Sequence, residues 1–206
     1  MTPYFESEHG KLFHGDCLTI IPELEPVDLV LTDPNYGIGI NKSHRLSVSR
    51  GFGEETWDEE SASESRINLC LSFGKNQIIW GGNYFGLPRT KGFIVWDKNN
   101  YGRDFADCEY AWTSFDKVAR IYKKRPMNMD GGKVHPTQKP VELMIYCLSE
   151  YAEYPKTVAD LFLGSGTTAV ACERLHIRWV GVEISEKTCL IAAKRIENET
   201  RQRKLF

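Results

Sequence analysis

The stretch from residue 157 to 169 constrains this chain most. Thr157-Val158-Ala159-Asp160-Leu161-Phe162 is a largely apolar run that ends in Leu163-Gly164-Ser165-Gly166-Thr167-Thr168-Ala169, and a helical pattern follows. A buried strand that turns on glycines straight into a helix opens a βαβ unit, and such units imply a parallel sheet with helices on its faces. Glycines let the backbone turn sharply and pass close to a ligand. Trp179 to Val182 reads as the next strand. Glu183 ends it, close to the ~20-residue spacing at which a carboxylate binds ribose hydroxyls. The pattern G-x-G-x-x-A with its acid predicts a nucleotide pocket.

By itself this unit would also suit a dinucleotide. Its position argues otherwise, because the glycine turn comes late and the remaining strands must be drawn from the N-terminal part. There, Val27-Asp28-Leu29-Val30-Leu31-Thr32 is a second buried-strand pattern, ending in Asp33-Pro34-Asn35-Tyr36. An isolated Asp-Pro is usually only a turn. Here it follows a strand directly, as the glycine turn does. In an open α/β sheet ligands sit outside the carboxyl ends of the strands, so both turns are expected on one edge.

An acid and an aromatic ring at that edge suit chemistry on the exocyclic amine of a nucleobase. The amine lone pair is delocalised into the base and is a weak nucleophile. Two acceptors aimed at the amine hydrogens, the Asp33 carboxylate and the Pro34 carbonyl, favour a more tetrahedral nitrogen. Tyr36 would stack on a base flipped out of the duplex.

The rest of the chain alternates strands and helices. Lys11 to His14, Gln77 to Trp80 and Phe93 to Trp96 read as strands, and Cys108 to Thr113 with Val118 to Tyr122 as a hairpin. Ser65 to Phe73, Pro140 to Tyr151, Thr167 to Leu175 and Ser185 to Glu199 read as helices. Gly37 to Ser63 reads as a long mobile or functional loop. The expected fold is α/β: a Rossmann-like, mostly parallel twisted sheet with an antiparallel hairpin and helices on both faces, in a single domain of 206 residues.

Six scattered cysteines without a CxxC pair suit reduced thiols in a cytoplasmic protein. His9, His14 and Cys17 lack a fourth ligand at zinc-like spacing, so no metal is expected. No apolar stretch approaches the ~20 residues of a membrane span. A net charge of −2 leaves nucleic-acid binding to local patches. One holds Lys42, Arg45 and Arg50. The other holds Lys123, Lys124 and Arg125, expected to contact phosphates rather than bases.

Taken together, these segments resemble the DNA amino-methyltransferases that make N6-methyladenine or N4-methylcytosine. Asp33-Pro34-Asn35-Tyr36 resembles their catalytic (D/N/S)PP(Y/F/W) motif, and Trp80-Gly81-Gly82-Asn83-Tyr84 also recurs in such enzymes. The resemblance implies S-adenosylmethionine as cofactor and DNA as partner. For cofactor contacts it points to Asp160, Phe162, Gly164, Ser165, Gly166, Thr167 and Thr168 on the glycine turn, and to Glu183 and Ile184 at the ribose. It adds Asp16 and Cys17 of His14-Gly15-Asp16-Cys17 at the adenine, and His135, Thr137, Gln138 and Lys139 of a segment closing over the cofactor. The order, catalytic motif first and cofactor motif last, resembles the permuted beta group, whose members often dimerise.

One residue departs from the family pattern. Asn35 stands where a second proline is expected, and a proline there would hold Pro34 extended. Asn35 predicts reduced but real methyl transfer. The acid at position 33 points to adenine over cytosine, since cytosine enzymes of this group more often resemble a serine form. A non-catalytic nucleic-acid-binding relative, or a methylase of RNA or protein, is the alternative. Arg120 to Val134 leaves only a minimal target-recognition segment.

Overall fold

The computed structural model describes residues 1–37, 61–102, 106–126 and 138–203. Lys42, Arg45, Arg50, His135, Thr137 and most of the long loop expected at 37–63 lie outside these residues, as does most of the recognition segment.

Among the described residues the strands are β1 (Phe5–Glu6), β2 (Gly10–His14), β3 (Val27–Thr32), β4 (Gly74–Trp80), β5 (Phe93–Asp97), β6 (Cys108–Thr113), β7 (Arg120–Lys123), β8 (Thr157–Asp160) and β9 (Arg178–Glu183). They form one sheet in the order β1-β2-β9-β8-β3-β4-β6-β5-β7. The middle of it, β2-β9-β8-β3-β4, is parallel throughout. The helices are α1 (Cys17–Ile20), α2 (Glu64–Phe73), α3 (Val141–Tyr146), α4 (Thr167–Leu175) and α5 (Glu186–Arg203). One π-helical turn, Cys147–Tyr151, extends α3, so the single helix expected from Pro140 to Tyr151 is two types of turn.

Alternate residues of each central strand serve opposite faces. Leu29, Leu31, Ile78 and Trp80 pack with Leu143, Val170, Ala192 and Ile196 under α3, α4 and α5. Val30, Ile79, Ala159 and Val182 pack with Cys17, Ile20, Cys70 and Phe73 under α1 and α2. Both faces are covered, which is why these strands are apolar runs rather than alternating ones.

The expected pairing of Cys108–Thr113 with Val118–Tyr122 does not form. β6 has both edges taken, by β4 and by β5, each antiparallel. β7 lies instead beside β5 and parallel to it, with Val95 opposite Ile121. Ala111 and Trp112 are buried on β6, whereas Ile121 on β7 is exposed. The strand that buries more apolar surface takes the inner position.

Candidate active site

The strand order creates a crevice between β8 and β3. From β8 the chain runs through α4 to β9 on one side. From β3 it runs through α2 to β4 on the other. The connections diverge there, which makes it the switch point where α/β sheets bind ligands. The two turns are bridged at this point: the Thr32 hydroxyl at the end of β3 donates to Asp160 Oδ1 at the end of β8, at 2.7 Å. Asp33 and the glycine turn therefore share one rim of the sheet.

Gly164 and Gly166 divide the work of that turn. Both have left-handed backbone, with φ of +54° and +83°. A side chain on Gly166 would press on Ala192 of α5 at 3.2 Å, so this glycine lets the helix dock. Beside Gly164 the nearest atom lies 3.9 Å away, so the backbone faces open space there. Glu183 stands across that space. Its Oε2 accepts from the Gly164 N–H and its Oε1 from the Ser185 N–H, both at 2.9 Å. Burial pushes this carboxyl up, against the N–H groups of Ser185, Gly164 and Ile184. Ile184 beside it is 64% exposed, an apolar surface next to an acid suited to a ribose. An open cradle lined by a glycine backbone, a tip carboxylate and an exposed aliphatic side chain fits a nucleoside.

Other expected cofactor residues have partners of their own. Asp16 caps α1, accepting from the Leu18 N–H at 3.0 Å, and pairs with Arg66 Nη2 at 2.7 Å. The Cys17 thiol is buried in the core, and burial pushes it up to about 11. Ser165, Thr167 and Thr168 are buried, and the Phe162 N–H donates to Asp160. Gln138 is also buried.

Lys139 sits elsewhere than expected. Its side chain is 4% exposed, and its ammonium reaches not the glycine turn but Asp33 Oδ2 and, at 3.2 Å, the Tyr36 hydroxyl. Tyr36 donates to Asp33 Oδ1 at 2.5 Å. Among the described residues the Asp33 carboxylate is thus held by one donor on each oxygen, and each oxygen keeps acceptor capacity for a further donor. Burial pushes the Asp33 carboxyl up, with Lys139 opposing. The Tyr36 ring in turn fits against Gly81, whose φ is +67° and where a side chain would fall 2.1 Å from the ring. That close approach explains the glycine after Trp80. The Asn35 carbonyl accepts from the Ala62 N–H at 2.9 Å, tying the turn to the start of the α2 segment.

The model of a family described as DNA methylase, N6 and N4, matches residues 78–194. This chain belongs to the N6/N4 DNA methylase family. Among curated proteins the methylase is 27% identical to the type II methyltransferase M2.DpnII of Streptococcus pneumoniae, over 96% of this chain and 93% of the relative. That alignment runs over 255 positions against 206 residues, so at least 49 positions of the relative have no counterpart here. Among solved structures it resembles the M1.HpyAVI–SAM complex, with TM-score 0.60, 24% identity and coverage of 91% of this chain and 98% of the other. It also resembles the PvuII cytosine-N4-specific DNA methyltransferase, with TM-score 0.62, 15% identity and coverage of 97% and 93%. At these identities the two structures establish the fold.

Three residues of this methylase rim escaped the sequence reading. Glu109 on β6 bridges Lys139 Nζ at 3.1 Å and Lys98 Nζ at 2.6 Å. Arg195 on α5 donates from Nη1 to the Ser165 carbonyl and hydroxyl, both at 3.2 Å, and to the Thr167 hydroxyl at 2.9 Å. Arg66 holds Asp16. None belongs to a motif: Glu109 is the one charge on β6, and Arg66 and Arg195 sit among other charges of their helices.

The expected phosphate-binding residues lie at the same rim, since β5 and β7 both end there. Lys124 pairs with Glu142 at 2.7 Å and Arg125 Nε donates to the Asn99 carbonyl at 3.1 Å. Lys123, 56% exposed and 3.8 Å from Asp97, is more open than Lys124. Among the described residues no helix is long and apolar enough to cross a membrane, and no cluster of three metal-ligating side chains occurs.

Proposed function

We propose that this methylase uses S-adenosylmethionine to methylate the exocyclic N6 amine of adenine in DNA. The observation that carries the reading is the Thr32–Asp160 bridge, which sets the Asp33 turn beside the glycine turn and its Glu183 cradle. When bound, S-adenosylmethionine supplies an electrophilic methyl group on a sulfonium.

The chain's own residues do the rest. Glu183 takes the ribose hydroxyls, and the turn from Gly164 to Thr168 takes the amino-acid end of the cofactor. Tyr36 supplies a stacking face for the flipped base. Asp33 and the Pro34 carbonyl accept the two amine hydrogens, which turns the nitrogen lone pair toward the methyl. Transfer of that methyl would leave positive charge on the nitrogen, which the fixed Asp33 anion would stabilise without reorganising until one of the two amine protons leaves to solvent. Fixing the amine beside the methyl donor would lower the barrier further. The acid at position 33 supports adenine over cytosine.

The test is a product analysis. Plasmid DNA is treated with the protein and isotopically labelled S-adenosylmethionine, digested to nucleosides and analysed by mass. Labelled N6-methyldeoxyadenosine is expected. Labelled N4-methyldeoxycytidine would overturn the adenine assignment. Cofactor binding with no labelled nucleoside would overturn the enzyme reading.

A further inference from the structure

Lys139 is a buried ammonium whose three N–H donors face three protein oxygens: Asp33 Oδ2, Glu109 Oε2 at 3.1 Å and the Tyr36 hydroxyl at 3.2 Å. Its nitrogen also lies 5.3 Å from the centre of the Trp80 ring and 5.6 Å from that of Tyr36. A lysine has three donors and no more. None is left for a cofactor, although its sequence neighbourhood pointed there. A charge buried this deeply costs several kcal/mol unless it is paired and hydrogen-bonded, and here every partner belongs to the Asp33 turn or stands directly behind it.

Behind Lys139 the charges continue. Glu109 gives its other oxygen to Lys98, at 2.6 Å. The series Lys98, Glu109, Lys139, Asp33 alternates in sign from the paired strands β5 and β6 to the end of β3. From the other side the Tyr36 hydroxyl takes Asp33 Oδ1 at 2.5 Å.

We propose that Lys139 and Glu109 are positioning residues for Asp33, pinning its carboxylate plane so that its remaining acceptor directions meet the substrate amine. Glu109 anchors the ammonium, and the ammonium anchors Asp33. Among the described residues, without Glu109 the lysine is held by the turn alone, and without Lys139 the carboxylate has only Tyr36 to orient it. This rests on the reading of Asp33 as the acceptor of the amine hydrogens.

The electrostatics support the geometry. Burial pushes the Asp33 carboxyl up, Lys139 pulls it down and Glu109 pushes it up again, with the Tyr36 hydrogen bond on the lowering side. Asp160, next to Thr32 on the adjoining strand, is the other acid that feels Asp33. Glu109 itself stays ionised: burial works against its charge, but the ammoniums of Lys139 and Lys98 hold it down at about 2. Removing Lys139 therefore raises the pH at which Asp33 becomes an anion, and neutralising Glu109 lowers it. A residue that only props up the fold would not move that pH in either direction.

The experiment compares the pH dependence of kcat/KM for DNA methylation in wild type, Lys139→Met, Lys139→Arg and Glu109→Gln. Calorimetric titration with S-adenosylmethionine runs alongside. Lys139→Met is expected to lower kcat about 10- to 100-fold, the scale of a misplaced reacting group. It should move the acid limb up by about one pH unit or more, with cofactor Kd within about twofold. Lys139→Arg should recover part of the rate, and Glu109→Gln should move the acid limb down. If Lys139→Met fails to fold, as judged by circular dichroism, the downward shift in Glu109→Gln carries the test. An unmoved acid limb in both variants overturns the proposal. So does a weakened cofactor Kd with unchanged kcat, which would return Lys139 to the cofactor pocket. Asp33→Asn separates the two readings. Wild-type turnover in that variant removes the role of Asp33 itself. Lost turnover with unmoved limbs in the other variants removes only the positioning pair.

Discussion

The ring of Tyr36 lies stacked on the ring of Tyr84, with centroids 4.9 Å apart and planes 18° from parallel. Two rings at this spacing leave no room for a base between them. Tyr84 follows the Gly81–Gly82 turn and is 46% exposed, so it has space to move into. A base that stacks on Tyr36 has to displace it, and an aromatic pair is worth roughly 0.5–1.5 kcal/mol. Tyr84→Ala is expected to lower the KM for plasmid DNA about 2- to 10-fold in a labelled-methyl assay. A higher KM would make Tyr84 part of the base platform rather than an obstacle on it.

Asn35 keeps the backbone carbonyl that Ala62 binds, and a proline at this position would keep it too. Proline would also hold Pro34 extended and fix the aim of its carbonyl. Asn35→Pro is expected to raise kcat severalfold at saturating cofactor. Equal or lower turnover would contradict the view that this turn is loosened.

Arg195 braces the glycine turn from behind through the three contacts of its Nη1. Burial lowers this guanidinium to about 10, and its Nη2 is buried with no hydrogen-bond partner among the described residues. The group is costly to keep there, and the shape of the turn is what it secures. Arg195→Met is expected to weaken S-adenosylmethionine binding about tenfold, or ~1.4 kcal/mol, by calorimetry. At saturating cofactor kcat should stay within about twofold. An unchanged Kd would leave Arg195 without a part in the pocket.

Asp160 links pH to stability. Burial pushes its carboxyl up to about 6, against hydrogen bonds from Thr168, Thr32 and the Phe162 N–H. In the unfolded chain it titrates near 4. Between those values the folded state holds more protons, so stability falls as pH rises through about 4 to 6 and stays lower above. The loss amounts to about 3 kcal/mol. Asp160→Asn keeps the shape and removes the titration. The melting temperature of the variant, relative to wild type, should be several degrees more favourable at pH 8 than at pH 4.5. A difference that does not depend on pH would rule out this linkage.

The parallel core and both turns were legible because each is local. The run Val27–Thr32, the run Thr157–Phe162 and the helix Thr167–Leu175 stand out by hydrophobic pattern and glycine placement; β3 and α4 form at those positions, and β8 ends two residues short of its run, at Asp160. The edge of the sheet was not legible. Cys108–Thr113 and Val118–Tyr122 had the pattern of a hairpin, yet β5 came between them. Pairing is a competition among strands for buried positions, and no strand carries the outcome in its own residues.

The same divide runs through the site. Asp33, Tyr36, the glycine turn and Glu183 are set by short segments whose backbone demands show in residue type, so the sequence alone determined a nucleotide turn and an acid-aromatic turn on an α/β sheet. Only the tertiary structure decided that Lys139 belongs to Asp33, that Glu109 and Lys98 stand behind it, and that Arg195 holds the glycine turn. Those contacts join residues up to 106 positions apart. A buried charge takes its partner from whatever the fold brings within about 3 Å, and that distance is a property of the packed chain.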